Sequence, residues 1–183
     1  MSNWHLLLER LLAEDIEFFV SEVRDLPPDP RVDVRSLGRQ PGRFHVRAGH
    51  PLAGAPCTLA EAWRHGVAAT RLPSAVKAVV ARLLGLPAGE TPVLALECDD
   101  VSLLREVALA TDTVVGLTDV SVRDAVASGA LVPLEVEGVP ALYSEMGLVT
   151  LARRTPSPMA QRAMERLRIA AARLNEGYRR LPV

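Results

Sequence analysis

Apolar residues recur at helical spacing from residue 4 to residue 14. Trp4, Leu7, Leu8, Leu11 and Leu12 share one face, and Ser2 or Asn3 stands ready as the cap. Ile16 to Val20 is a short apolar run that reads as a strand. Leu26-Pro27-Pro28-Asp29-Pro30 must be loop, because proline supplies no backbone N–H and fixes its own φ. Val32 to Leu37 and Arg43 to Ala48 then alternate apolar with polar, and two strands are predicted there.

From Thr58 onward the period switches repeatedly between two and 3.6. Thr58-Leu59-Ala60-Glu61 is a capping box opening a short helix that stops at Gly66. A strand at 66–70 and a turn through Arg71-Leu72-Pro73-Ser74 lead into a helix over Ala75 to Leu84. A strand at Val93 to Leu96 precedes a helix over Val101 to Ala110, capped by Asp99 or Asp100. Thr113 to Leu117 is a strand, Ser121 to Ala127 a helix ended by Gly129, and Leu131 to Leu134 a strand. Tyr143 to Ala152 reads as extended, and Ser157-Pro158 opens a long helix running to about Leu174. This alternation predicts an α/β fold with mainly parallel sheets. The late return strand and closing helix predict two lobes: 1–66 plus 144–183, and 67–143.

With 183 residues and 49% apolar content, the chain can bury a real core and is not disordered. No apolar run approaches a bilayer span, and no basic-then-apolar leader opens the sequence, so a cytoplasmic protein without membrane contact is expected. The net charge of −1 provides no global field for nucleic acid, although eight arginines fall in residues 150–183 against Glu165 and Glu176. Arginines at that spacing read first as a solvated helix face.

Catalytic and metal motifs do not emerge. The four histidines, at 5, 45, 50 and 65, lack metal-ligand spacing, and neither a phosphate loop nor a nucleophile elbow occurs. Cys57 precedes a helix start, where the dipole would lower a thiol pKa, but no histidine partner is evident. Asp99-Asp100 is a carboxylate pair better placed to cap a helix than to divide acid and base roles. Neither a cofactor nor an enzymatic function is expected. An enzyme reading would rest on Cys57 or Asp100.

Four co-linear stretches carry a resemblance. They are Leu7 to Val20 (LLERLLAEDIEFFV), Arg47 to Ala53 (RAGHPLA), Ser102 to Leu117 (SLLREVALA followed by VVGL), and Ala127 to Leu134 (ASGALVPL). In this order, ahead of the Ser157-Pro158 helix, they resemble the effector-binding domain of LysR-type transcriptional regulators. The resemblance implies a two-lobe, type 2 periplasmic-binding-protein-like fold with a small-molecule effector in the cleft between lobes. It implies a homodimer or tetramer in the full-length regulator, with DNA reached only through a helix-turn-helix domain that this sequence does not contain. The match begins at about the second helix of lobe I, so the lobe's first strand and helix have no counterpart upstream of Trp4. A free-standing solute-binding protein of the same fold is the alternative.

The same resemblance implies three effector-binding patches: Asn3 and Trp4; Thr70, Arg71, Leu72, Pro73 and Ser74; and Thr118 and Asp119. For the second patch physical chemistry agrees, since a helix start offers N–H donors and an arginine adds a bidentate partner, so Arg71 and Ser74 suit a carboxylate. The plainer alternative makes Arg71 a solvated loop charge and Ser74 only a cap. Asp119 suits a cationic or amino group, and Trp4 serves lobe packing or ligand stacking.

Overall fold

A computed structural model describes residues 4–179 of the chain, so the Asn3 expectation lies outside the described residues. It divides into two compact units, one of residues 41–143 and one combining 2–40 with 144–183. Residues 41–66 therefore cluster with 67–143, not with the N-terminal lobe expected from the sequence. The far half of β2, a single strand over Val32–Arg47 where the sequence predicted two, pairs with residues 115–118 and 131–133, and Leu59 and Ala62 share a core with Val67, Val76 and Val80. Gly38, at φ 102°, lets the strand continue through a conformation closed to other residues, and a Cβ there would clash with the Asn175 side-chain amide. That amide donates to the Leu37 carbonyl at 2.8 Å.

In the unit of 2–40 and 144–183, strands run in the order β1 (Phe18–Glu22), β7 (Leu142–Leu151), β2. β1 and β7 pair antiparallel from Phe18↔Thr150 to Glu22↔Met146. Helix α1, Trp4–Leu12, buries Leu11 against Phe19 and Val149, with Trp4 and Leu7 packed around them. It ends where Glu14 takes φ 65°. The last helix, α6 (Pro158–Arg179), is anchored at its start: Ser157 donates its N–H and its hydroxyl to the Glu17 carboxylate at 2.6 and 2.7 Å, and its Oγ accepts the Ala160 N–H. These bonds hold the Glu17 carboxyl below its ordinary range.

In residues 41–143 the sheet is mixed, not mainly parallel. β3 (Val67–Ala69) pairs parallel with both β4 (Leu96–Glu97) and β5 (Val114–Thr118). β2 pairs antiparallel with β5 and with β6 (Leu131–Pro133). Alternate strand residues feed two cores. Val67 and Val114 join Phe44, Leu59, Val76 and Val80 beneath α2 (Leu59–Arg64) and α3 (Ser74–Leu83). Ala68 and Val115 join Leu104, Ala108 and Val122 beneath α4 (Val101–Ala110) and α5 (Asp119–Ala127). The expected strand at Val93 shrinks to two residues: Val93 is 82% exposed, and its carbonyl accepts the Trp63 indole N–H.

The histidine of the RAGHPLA stretch is a clasp. His50 Nδ1 accepts the Leu52 N–H at 3.0 Å, so Nε2 carries the proton and donates to the Asp112 carbonyl at 2.9 Å. Asp112 in turn receives Arg47 at 2.6 Å. Cys57 and Cys98 are both free thiols.

Adjacent leucines on α4 test this packing. Leu104 is fully buried and Leu103 is 48% exposed. Leu104→Ala is expected to destabilise the protein by about 2–5 kcal/mol, and Leu103→Ala by about 0.5 kcal/mol or less, in urea unfolding. Equal losses would show that α4 is turned differently.

Candidate functional site

The parallel ladder β4-β3-β5 aligns three strand ends. Ala69 stands opposite both Glu97 and Gly116, so Thr70, Cys98 and Thr118 follow at one edge of the sheet within residues 41–143. Each of these strands is followed by a helix, so three helix N-termini, whose dipoles favour negative charge, begin at that edge.

The three starts differ chemically. At α4 the Asp100 carboxylate caps the helix, accepting Ser102 N–H at 2.9 Å and Leu103 N–H at 3.2 Å. That assigns Asp100 to a cap and away from acid–base work. At α3 Pro73 occupies the N-cap and contributes no side-chain hydrogen bond; Ser74 is the first helical residue, not the cap. At α5 Thr118 is the N-cap, again with no side-chain bond to the helix backbone, its hydroxyl lying 2.7 Å from the Ser121 hydroxyl.

Of the second patch, Arg71 and Ser74 are exposed and Thr70 is half-buried. Leu72 and Pro73 face inward, Leu72 packing against the α2–α3 core and Pro73 being buried, so these two position the turn. Trp4 belongs to the other unit, where it packs around Leu11 and Phe19.

Asp119 is not an open anion awaiting a cationic ligand. Its Oδ2 accepts the Arg43 guanidinium at 2.8 Å, and its side chain is 19% exposed. Its Oδ1 is buried without a hydrogen-bond partner, and so is Nδ1 of His45, itself 2% exposed. Sequence reasoning missed Arg43 and His45. Strand alternation puts both on one face of β2, but only the register Gly42↔Thr118 brings that face to the start of α5. Beside Arg43 opens a cavity of about 280 Å³, walled by Phe44, Leu134, Val139 and Leu142.

Electrostatics separate the titratable groups. Burial pushes the His45 imidazole below its ordinary value; Asp119 opposes that shift and the Arg43 guanidinium adds to it. Burial also pushes the Cys57 thiol up, with Glu61 and Glu137 acting in the same sense, contrary to the lowering expected at a helix start. A raised pKa keeps Cys57 a thiol at neutral pH and makes it a poor nucleophile.

These features can be set against known proteins. The LysR substrate binding domain describes residues 1–172 of the chain. The chain belongs to that family. Among relatives, this LysR domain is 34% identical over 165 residues to the SDS degradation transcriptional activation protein of Pseudomonas sp. (strain ATCC 19151). The match covers 88% of the chain and 53% of the relative, so the domain spans about half of that protein. In fold it is similar to the CrgA regulatory domain, from a LysR-type regulator of Neisseria meningitidis, with TM-score 0.66, 19% identity, and coverage of 88% of this chain and 78% of that one. It is likewise similar to the bromide-bound regulatory domain of HypT from Salmonella typhimurium, with TM-score 0.66, 16% identity, and coverage of 93% and 80%. The Pseudomonas relative is named as a transcriptional activation protein and CrgA as a LysR-type transcriptional regulator. No helix among the described residues of the LysR domain is long and apolar enough to cross a membrane.

His45 sets a pH signature. With its folded pKa depressed, the unfolded chain takes up a proton that the folded protein excludes, so stability is held above about pH 6.5 and declines as pH falls through that value. His45→Gln should flatten this decline between about pH 7.5 and 5.5 in parallel urea titrations. Identical pH curves would show that His45 protonates freely in the folded state.

Proposed function

We propose that the chain is the ligand-sensing domain of a LysR-type transcriptional regulator, and that it takes a small organic anion at the carboxyl edge of the β4-β3-β5 ladder. The observation that carries this reading is the start of α3. Its N–H groups have no side-chain cap, and the exposed Arg71 guanidinium lies three residues upstream of Ser74. Together they offer an anion both the helix-terminal donors and a bidentate cation. Thr70 and Thr118, half-buried at the ends of neighbouring strands, add hydroxyls, and the Arg43–Asp119 pair holds the start of α5 in place. A carboxylate fits this set. So does a sulfate ester, a chemistry consistent with the relative named for activating transcription in SDS degradation. A bromide-bound relative of the same fold is consistent with an anionic ligand.

In this proposal the two compact units are the two lobes of the effector-binding domain. Binding changes the domain's conformation and so alters transcription, in the cytoplasm. DNA is contacted through a helix-turn-helix domain outside these 183 residues, within a homodimer or tetramer. The transcriptional activator among its relatives favours a regulator over a free-standing solute-binding protein.

Thermal unfolding against aliphatic and aromatic carboxylates and short alkyl sulfates tests the reading. A true effector at 100 times its Kd is expected to raise Tm by about 5–10 °C. Arg71→Ala should abolish that rise without altering the Tm of the free protein. If the rise survives in Arg71→Ala, the anion is not held at α3.

A further inference from the structure

The unit built from residues 2–40 and 144–183 has a concavity of its own, of about 280 Å³. Its lining is mixed: Leu148 lies buried beneath it, Pro156 and Met164 are half-buried, Thr150 and Gln161 add polar groups, and Leu151 packs on the other face of β7 against Leu11, Phe19 and Val149. Four guanidinium groups line it, from Arg35 on β2, Arg153 and Arg154 after β7, and Arg168 on α6. Only two lining carboxylates, Asp33 and Glu165, oppose them.

Two of the four arginines are already engaged. Arg154 pairs with Glu14, and Arg168 pairs with Glu165 at 3.2 Å. Arg35 and Arg153 join none of the ion pairs found among the described residues. Arg153 is also strained. Its φ of 61° lies in the left-handed region, which glycine occupies freely and an arginine occupies at a cost. Strain of this kind marks positions where a side chain serves a purpose other than stability.

We propose that this concavity binds a monoanionic amphiphile, its carboxylate or sulfate head held by Arg153 and Arg35 and its apolar body resting on Met164 and Pro156. The planar guanidinium fork matches two oxygens of either head group. Asp33 and Glu165 leave the rim only modestly cationic, which favours a single negative charge over two. The volume sits just below the range of about 300–1,000 Å³ usual for small-molecule pockets, so the body is short. Every residue invoked lies outside 41–143, so the site is separate from the anion site proposed at Arg71.

Isothermal titration calorimetry of the full chain with hexyl sulfate and with hexanoate, below micelle-forming concentrations, tests it. Inorganic sulfate and hexanol serve as controls. Saturable binding of at least one amphiphile is expected, weakened about tenfold or more in Arg153→Gly and in Arg35→Gln and retained in Arg71→Ala. The tighter of the two amphiphiles identifies the head group. Arg153→Gly relieves the strained turn, so its Tm should equal or exceed that of the wild type, and lost binding cannot be put down to unfolding. The proposal is overturned if neither amphiphile binds saturably, or if both arginine variants bind as the wild type does. Equal binding of inorganic sulfate or of hexanol also overturns it, since head and body would not then act together. Binding lost only in Arg71→Ala would overturn this site and leave the α3 reading standing. Loss in the Arg35 and Arg153 variants alone would support this site whatever becomes of Arg71.

Discussion

The parallel ladder between β3 and β5 is the constraint on which residues 41–143 depend. Val67, Ala68 and Ala69 are all buried, so this three-residue strand shows no polar face. A strand so placed must satisfy its backbone groups within the sheet, and it does so by pairing with β5 on one side and β4 on the other. Two cores then form on opposite faces, α2 and α3 on one and α4 and α5 on the other. Parallel pairing has one further effect: both neighbours end where β3 ends, and the helices after them begin side by side.

That edge collects three helix N-termini, whose dipoles favour negative charge. The protein uses its own carboxylate, Asp100, to satisfy α4. At α5 Asp119 stands in the first turn, where a negative charge suits the helix dipole, and shares its charge with Arg43. Only α3 begins with neither a side-chain cap nor an acidic residue in its first turn, and it follows the exposed Arg71. The asymmetry among three similar helix starts is what gives the edge a direction. Next to it lie His45 and the inner oxygen of Asp119, two buried polar atoms without partners. Such atoms are costly to bury, and His45, held below its ordinary pKa by burial, links the stability of this region to proton uptake.

Much of the secondary structure was legible because its signals are local. The Thr58–Glu61 capping box forms with both reciprocal bonds, since each partner lies within one helical turn of the other. Asp100 and Ser157 likewise act on N–H groups two or three residues ahead. Where the reading differed, a non-local partner was responsible. Gly38 looks like a break until Asn175 closes over it. Val93 looks like strand, yet only Leu96 and Glu97 find a place beside β3. Cys57 looked activated by a helix start, yet it lies in the α2–α3 core, where burial dominates.

The sequence by itself determined the order of helices and strands, the α/β class and the family, because hydrophobic period, caps and co-linear motifs are written in neighbouring residues. It also placed Thr70, Arg71, Ser74, Thr118 and Asp119 at element ends. Only the tertiary structure decided that β2 is one strand, that the division falls at residue 41, and that Arg43 belongs to Asp119, 76 positions away. It also decided that Arg35, Arg153 and Arg168 share one concavity. The physical reason is the same in each case. Strand register and helix docking set which distant side chains meet, and a one-residue change of register in β2 would send Arg35 and Arg43 to the opposite face.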